Sequence, residues 1–98
     1  MYQSKMQSEA LDALFEAVLS LQTQEDCYRF FEDLCTISEL SAIGQRWEVV
    51  RLLTTGETYH AIAEKTGAST ATIGRVNRAL NYGAGGYGRV IERLKKAE

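Results

Sequence analysis

No proline interrupts this 98-residue chain, and that constrains its fold more than any other feature. Proline ends helices by removing an amide donor and clashing with the preceding turn. Glycine, the other breaker, is sparse until it takes four of the eight positions from 81 to 88. Such a chain favours helices joined by short turns. The apolar spacing agrees. Ala10, Leu11, Leu14, Phe15, Val18, Leu19 and Leu21 recur at three and four, one face of a helix. Thr23-Gln24-Glu25-Asp26 predicts a second helix, with a hydroxyl cap and acids in its first turn. That helix places Cys27, Phe30, Phe31, Leu34 and Cys35 on one side. Thr36-Ile37-Ser38-Glu39 fits a capping box and starts a third helix. Its inward residues are Leu40, Ile43, Trp47, Val50 and Leu53, and it ends near Gly56.

Beyond Gly56 the rhythm shortens. Residues 58–65 and 70–80 read as two short helices with Gly67 between them, the pattern of a helix-turn-helix over residues 58–80. That motif makes several separate demands. The crossing point needs a small residue, and Ala63 is one. The turn needs a left-handed residue, and Gly67 adopts that conformation without a Cβ clash. The second helix needs a cap, which Ser69 can supply. Its inner face needs apolar residues at helical spacing, and Ile73, Val76 and Leu80 provide them, with Ile62 answering from the first helix. The early residues of such a second helix reach base edges in a major groove. Ser69, Thr70 and Thr72 are therefore candidate DNA contacts, because hydroxyls bond bases or phosphates and threonine methyls meet thymine. Arg75 and Arg78 lie off the apolar face and can reach phosphate or guanine. Residues 81–88 then read as a glycine-rich link, and residues 89–98 as a C-terminal amphipathic helix. Tyr82 and Tyr87, which flank the glycine cluster, are expected to pack over that helix.

Charge is distributed to match. The net charge is −2, but residues 1–53 carry four basic and nine acidic groups, a net of −5. Residues 54–98 carry seven basic and four acidic groups, a net of +3. The half that holds the helix pair would attract a phosphate backbone, and the other half would repel it. The same composition excludes other classes. No apolar run approaches the roughly 20 residues that cross a membrane, and the charged N-terminal stretch is not a signal peptide, so a cytoplasmic location is expected. Cys27 and Cys35 are eight apart and His60 is the sole histidine, a spacing no zinc site uses. Both cysteines read as small core side chains. The glycine cluster matches neither phosphate-binding fingerprint. No nucleophile–base set exists, so neither an enzyme nor a cofactor or metal site is expected.

The residues Ile43-Gly44-Gln45-Arg46-Trp47-Glu48-Val49-Val50-Arg51-Leu52-Leu53-Thr54-Thr55-Gly56-Glu57, then Ile62-Ala63, Gly67-Ala68-Ser69-Thr70-Ala71-Thr72-Ile73 and Arg75, carry a family likeness. From Ser38 to Leu94 the chain resembles the Trp repressor superfamily, and over nearly its whole length it resembles the YerC/YecD branch. The resemblance implies an all-α fold of about six helices per chain. It also implies an intertwined homodimer and a bacterial transcription regulator whose two recognition helices enter successive major grooves of double-stranded DNA. Residues 1–56 would then form dimerisation helices within a single domain. Independently, Phe15, Leu19, Phe30, Phe31 and Leu34 are more apolar surface than three short helices can cover in one chain.

By the same resemblance, the two arginines that sandwich an indole corepressor fall on Arg46 and Arg75, a ligand pocket for a small-molecule effector. The glycine that follows the second arginine is replaced by Val76. The serine four residues past that arginine is Ala79, and the segment before Gly67 is one residue shorter. These departures argue against tryptophan as the ligand.

Two functional readings follow. The first is a sequence-specific regulator, a repressor, that binds duplex DNA as a homodimer. The alternative is a protein–protein interaction module that uses the helix pair as a docking surface.

Overall fold

A computed structural model describes residues 2–97. The described residues form six α-helices and no strand: α1 (Glu9–Leu19), α2 (Gln24–Leu34), α3 (Ile37–Thr54), α4 (Tyr59–Thr66), α5 (Thr70–Tyr82) and α6 (Gly86–Ala97). The all-α expectation holds. Among the described residues no helix is long and apolar enough to cross a membrane, and no cluster of metal-ligating side chains occurs. Contacts divide the chain into two compact units between Leu40 and Ser41, inside α3.

The first unit is a run of capped helices. Ser8 caps α1 by accepting the Leu11 amide, and Thr23 caps α2 by accepting the Asp26 amide. Thr36 and Glu39 form the expected capping box. The Thr36 hydroxyl accepts the Glu39 amide at 3.1 Å, and the Glu39 carboxylate accepts the Thr36 amide at 2.8 Å. Those hydrogen bonds hold the Glu39 carboxyl below the usual glutamate range. Local chemistry thus places the ends of these helices, yet neither α1 nor α2 contains a buried residue. Phe15, Leu19 and Leu34 are exposed, Leu19 by 83%. Phe30 and Phe31 meet edge to face with centroids 5.4 Å apart and are half-buried. Cys27 is exposed and Cys35 half-buried, so Cys27 is not the core side chain that its spacing predicted.

The second unit holds the core. Val49 and Val50 of α3, Ile62 of α4, Ala68 of the turn, and Ile73 and Val76 of α5 are buried together. Burying each of the four largest, Ile62, Ile73, Val49 and Val50, contributes about 1.5–3 kcal/mol. Trp47, Leu53, Leu80, Tyr87 and Ile91 pack around this cluster. Two expectations fail on α3. Ile43 is 47% exposed, whereas Val49, absent from the predicted inward set, is fully buried. Apolar residues surround this helix, so their period does not single out one face.

The C-terminal segment also differs from expectation. The link is Gly83–Gly85, not residues 81–88, and α6 starts at Gly86, three residues before the predicted start at Arg89. Gly85 takes a left-handed φ of 86°, and its carbonyl accepts the Arg89 amide. Glycines inside a helix cost roughly 1 kcal/mol each. The packing of Tyr87 against the core offsets that cost. Tyr82, by contrast, is 87% exposed on α5.

Candidate nucleic-acid interface

The helix pair α4–α5 is assembled from short-range hydrogen bonds. Thr58 caps α4 by accepting the Ala61 amide at 3.1 Å. The helix ends at Gly67, whose φ is 75° and whose N–H reaches the Ala63 carbonyl at 2.9 Å. The Thr66 hydroxyl donates to the Ile62 carbonyl and accepts the Ala68 amide. From α3, the Gln45 Nε2 donates to the Thr66 carbonyl at 3.1 Å. The turn is therefore tied to the helix beneath it. Ala68 is buried in the turn, and Ala63, the small residue expected at the crossing, is half-buried against the core. Ser69 then caps α5, accepting the Thr72 amide at 3.1 Å.

Burial of Ile73 and Val76 settles which side of α5 faces solvent. Thr70, Ala71, Arg75 and Arg78 are exposed. Ala71, Arg75, Arg78 and Tyr82 follow one another at four, three and four residues, so they share one stripe. Among the described residues neither Arg75 nor Arg78 makes an ion pair. The cations Arg51 and Lys65, elsewhere in this unit, are paired with Glu48 and Glu57. The two arginines therefore project free positive charge from the outer face of α5.

The five predicted contact residues divide into two groups. Thr70, Arg75 and Arg78 lie open. Ser69 and Thr72 are engaged with each other: the Ser69 hydroxyl donates to the Thr72 hydroxyl at 3.1 Å, which leaves the Thr72 O–H as the free donor of the pair. On the flank of α5 the Asn81 side-chain amide donates to the Asn77 carbonyl and to the Asn77 side-chain oxygen. His60 is exposed and sits 3.3 Å from Glu64.

Behind this face a pocket of about 440 Å³ opens between α3, α5 and α6. Gln45, Arg46, Thr72 and Arg75 supply its polar lining, and Val76, Ala79 and Tyr87 its apolar side. Arg46 and Arg75, twenty-nine residues apart in sequence, meet at this one pocket. Val76 stands in its wall.

Comparison with known proteins decides the fold. The family model described as Trp repressor protein matches residues 9–95. The chain belongs to the Trp repressor family. A Bacillus subtilis (strain 168) protein, "Uncharacterized protein YerC", is 53% identical over 94 residues, covering 96% of this chain and 90% of that protein. The crystal structure of a TrpR-like protein from Eubacterium eligens ATCC 27750 matches with a TM-score of 0.89 at 56% identity, covering 93% of this chain and 94% of that one. A Staphylococcus aureus structure matches with a TM-score of 0.88 at 44% identity, covering 93% and 91%. The chain thus has the fold of a family of DNA-binding regulators, not of enzymes. Within this fold α4 and α5 are two short helices joined through the left-handed turn at Gly67.

Proposed function

We propose that this chain is a sequence-specific transcription regulator, a repressor, that binds double-stranded DNA as a homodimer through α5. The observation that carries this reading is the outer stripe of α5, where Arg75 and Arg78 present unpaired charge, with the exposed Thr70 at the start of the same helix. The Ser69 cap and the Gln45–Thr66 bond hold the start of that helix to the core. Phosphate contacts by the arginines position a protein on the duplex, and the short side chains at the start of α5 read base edges.

The dimer reading rests on the first unit. Helices without a buried residue, with Phe15, Leu19 and Leu34 in solvent, require an apolar partner surface, and a second copy supplies one. We place the site of any small-molecule effector at Arg46 and Arg75. Two guanidiniums, an amide and a hydroxyl suit an anionic ligand, and Val76 in the wall disfavours tryptophan.

The test is selection of genomic DNA fragments by the purified protein at about 0.15 M salt, an ionic strength at which non-specific binding is weak. An Arg75→Ala/Arg78→Ala double variant runs beside it. Recovery of one palindromic motif by the unaltered protein alone supports the reading. No enrichment, together with a nuclease-resistant protein complex, favours a docking module in its place.

A further inference from the structure

Tyr87 occupies an unusual position between two pockets. One is the arginine-bearing pocket between α3 and α5. The other is an apolar groove of about 500 Å³ lined by Trp47, Ala79, Ala84, Tyr87 and Val90. Ala79 of α5 and Tyr87 of α6 are common to both. Ala79 has only a methyl group, so the Tyr87 ring is the bulk of the partition. That ring packs against the buried core and lies 6.2 Å from the Trp47 ring at 41°. It lines the pocket between α3 and α5 that Arg75 also lines.

The approach to this position is built at some cost. Gly83 ends α5 with its N–H on the Ala79 carbonyl, and a Cβ there would come within 2.4 Å of that oxygen. Gly85 is left-handed. Gly86 and Gly88, which flank Tyr87, lie in α6, where glycine is unfavourable. Gly83 and Gly85 in the link, with Gly86 at the start of α6, therefore turn the chain back and bring Tyr87, the second residue of α6, onto α5. Gly86 and Gly88 bring no side chain of their own. Tyr87 is the residue that makes this turn productive.

We infer that Tyr87 is a positioning residue for DNA recognition: its ring, packed on the buried core beside Arg75's pocket and backed by Trp47, sets the orientation of α5 and of Arg75. The inference rests on the DNA-binding reading of α5. It contacts no DNA itself and acts through α5. Removing the ring lets α5 tilt into the merged pocket, so the loss falls on specific binding, which needs a fixed helix, and spares the phosphate attraction that supplies non-specific binding.

The experiment compares Tyr87→Phe, Tyr87→Leu and Tyr87→Ala in the full chain, using the duplex selected by the unaltered protein and a scrambled duplex. Tyr87→Phe keeps the ring and retains specific affinity. Tyr87→Leu keeps apolar bulk without the plane and loses specific affinity by roughly tenfold, with scrambled-duplex affinity unchanged. Tyr87→Ala loses at least as much and recovers part of it with millimolar p-cresol, the missing side chain. Trp47, the sole tryptophan, reports the ring's departure by a fluorescence shift in the Leu and Ala variants and not in Phe. If the Ala variant does not fold, as read by circular dichroism, the Leu variant decides. Specific affinity within twofold of the unaltered protein in a folded Leu or Ala variant overturns the inference alone. Failure of the unaltered protein to select any duplex overturns the DNA-binding reading and the inference with it.

Discussion

The Gln45 side chain donates to the Thr66 carbonyl at 3.1 Å across twenty-one residues of sequence. It is a long-range side-chain hydrogen bond that fastens the end of α4 to α3. The carbonyl it satisfies lies at the C-terminal end of α4, where the last turn leaves acceptors unpaired. Replacing Gln45 with alanine removes the donor from a half-buried site and is expected to destabilise the fold by about 1 kcal/mol. Urea denaturation should show a lower midpoint at unchanged slope.

Two glycines separate strain from collision. At Gly67, φ is 75° and an added Cβ meets nothing within 4 Å, so Gly67→Ala incurs backbone strain alone. That strain is roughly 1–2 kcal/mol. At Gly83, φ is negative, but the Cβ would lie 2.4 Å from the Ala79 carbonyl oxygen. Backbone must move to admit it, so Gly83→Ala is expected to cost more than Gly67→Ala. It should also shift Trp47 fluorescence, because Gly83 governs how α6 returns. Thermal unfolding of the two variants ranks them, and a smaller loss at Gly83 would contradict the collision.

Glu39 gives the stability of the first unit a pH dependence of known sign. Its hydrogen bonds with Thr36 lower its pKa in the folded chain. A lowered folded pKa contributes stability that is complete above the ordinary glutamate value. That stability is lost as pH falls through the folded value. Glu39→Gln keeps an acceptor for the Thr36 amide without the titration. Stability measured from neutral to acidic pH should fall less steeply in this variant than in the unaltered chain.

These caps explain why much of the fold is legible in sequence. Thr36 and Glu39 are three residues apart, as are Ser69 and Thr72, so their bonds depend on local spacing that can be read directly. Gly67 is equally local. The start of α6 is not. Gly86-Tyr87-Gly88 contains two of the weakest helix formers, and only the contact of Tyr87 with residues forty positions earlier, such as Trp47, makes them helical. Val49 was missed for a related reason, since α3 is apolar on more than one side. The outward face of α5 was readable because Ile73 and Val76 mark its opposite. The engagement of Ser69 with Thr72 was not, because it depends on rotamers.

Arg75 and Arg78 should separate by salt dependence. An arginine on phosphate releases counterions, so its loss lowers the slope of log affinity against log salt by about one unit on every duplex. An arginine on guanine costs about 1–3 kcal/mol on the selected duplex and relaxes preference at one base pair. Arg75 also lines the pocket behind α5, whereas Arg78 does not. Arg75→Ala should therefore alter any effector response as well, and Arg78→Ala should leave it intact. Binding titrations of both variants at several salt concentrations decide the assignments.

The last prediction concerns assembly. A chain of 10.9 kDa whose first two helices hold no fully buried residue leaves Leu19 at 83% and Ile37 at 88% exposure. Burying a leucine or isoleucine contributes about 1.5–3 kcal/mol, so leaving several in water forfeits a large share of a small domain's stability. A second copy recovers it, and stability then rises with protein concentration by mass action. Light scattering at micromolar concentration should give twice the chain mass, and the melting temperature should climb on concentration. Leu19→Asp, which puts a charge on that face, should lower both the mass and the melting temperature. Because half-site spacing is set by the dimer, the variant should also lose preference for a palindrome while keeping non-specific affinity. A monomer mass for the unaltered chain, with a melting temperature independent of concentration, would refute the dimer.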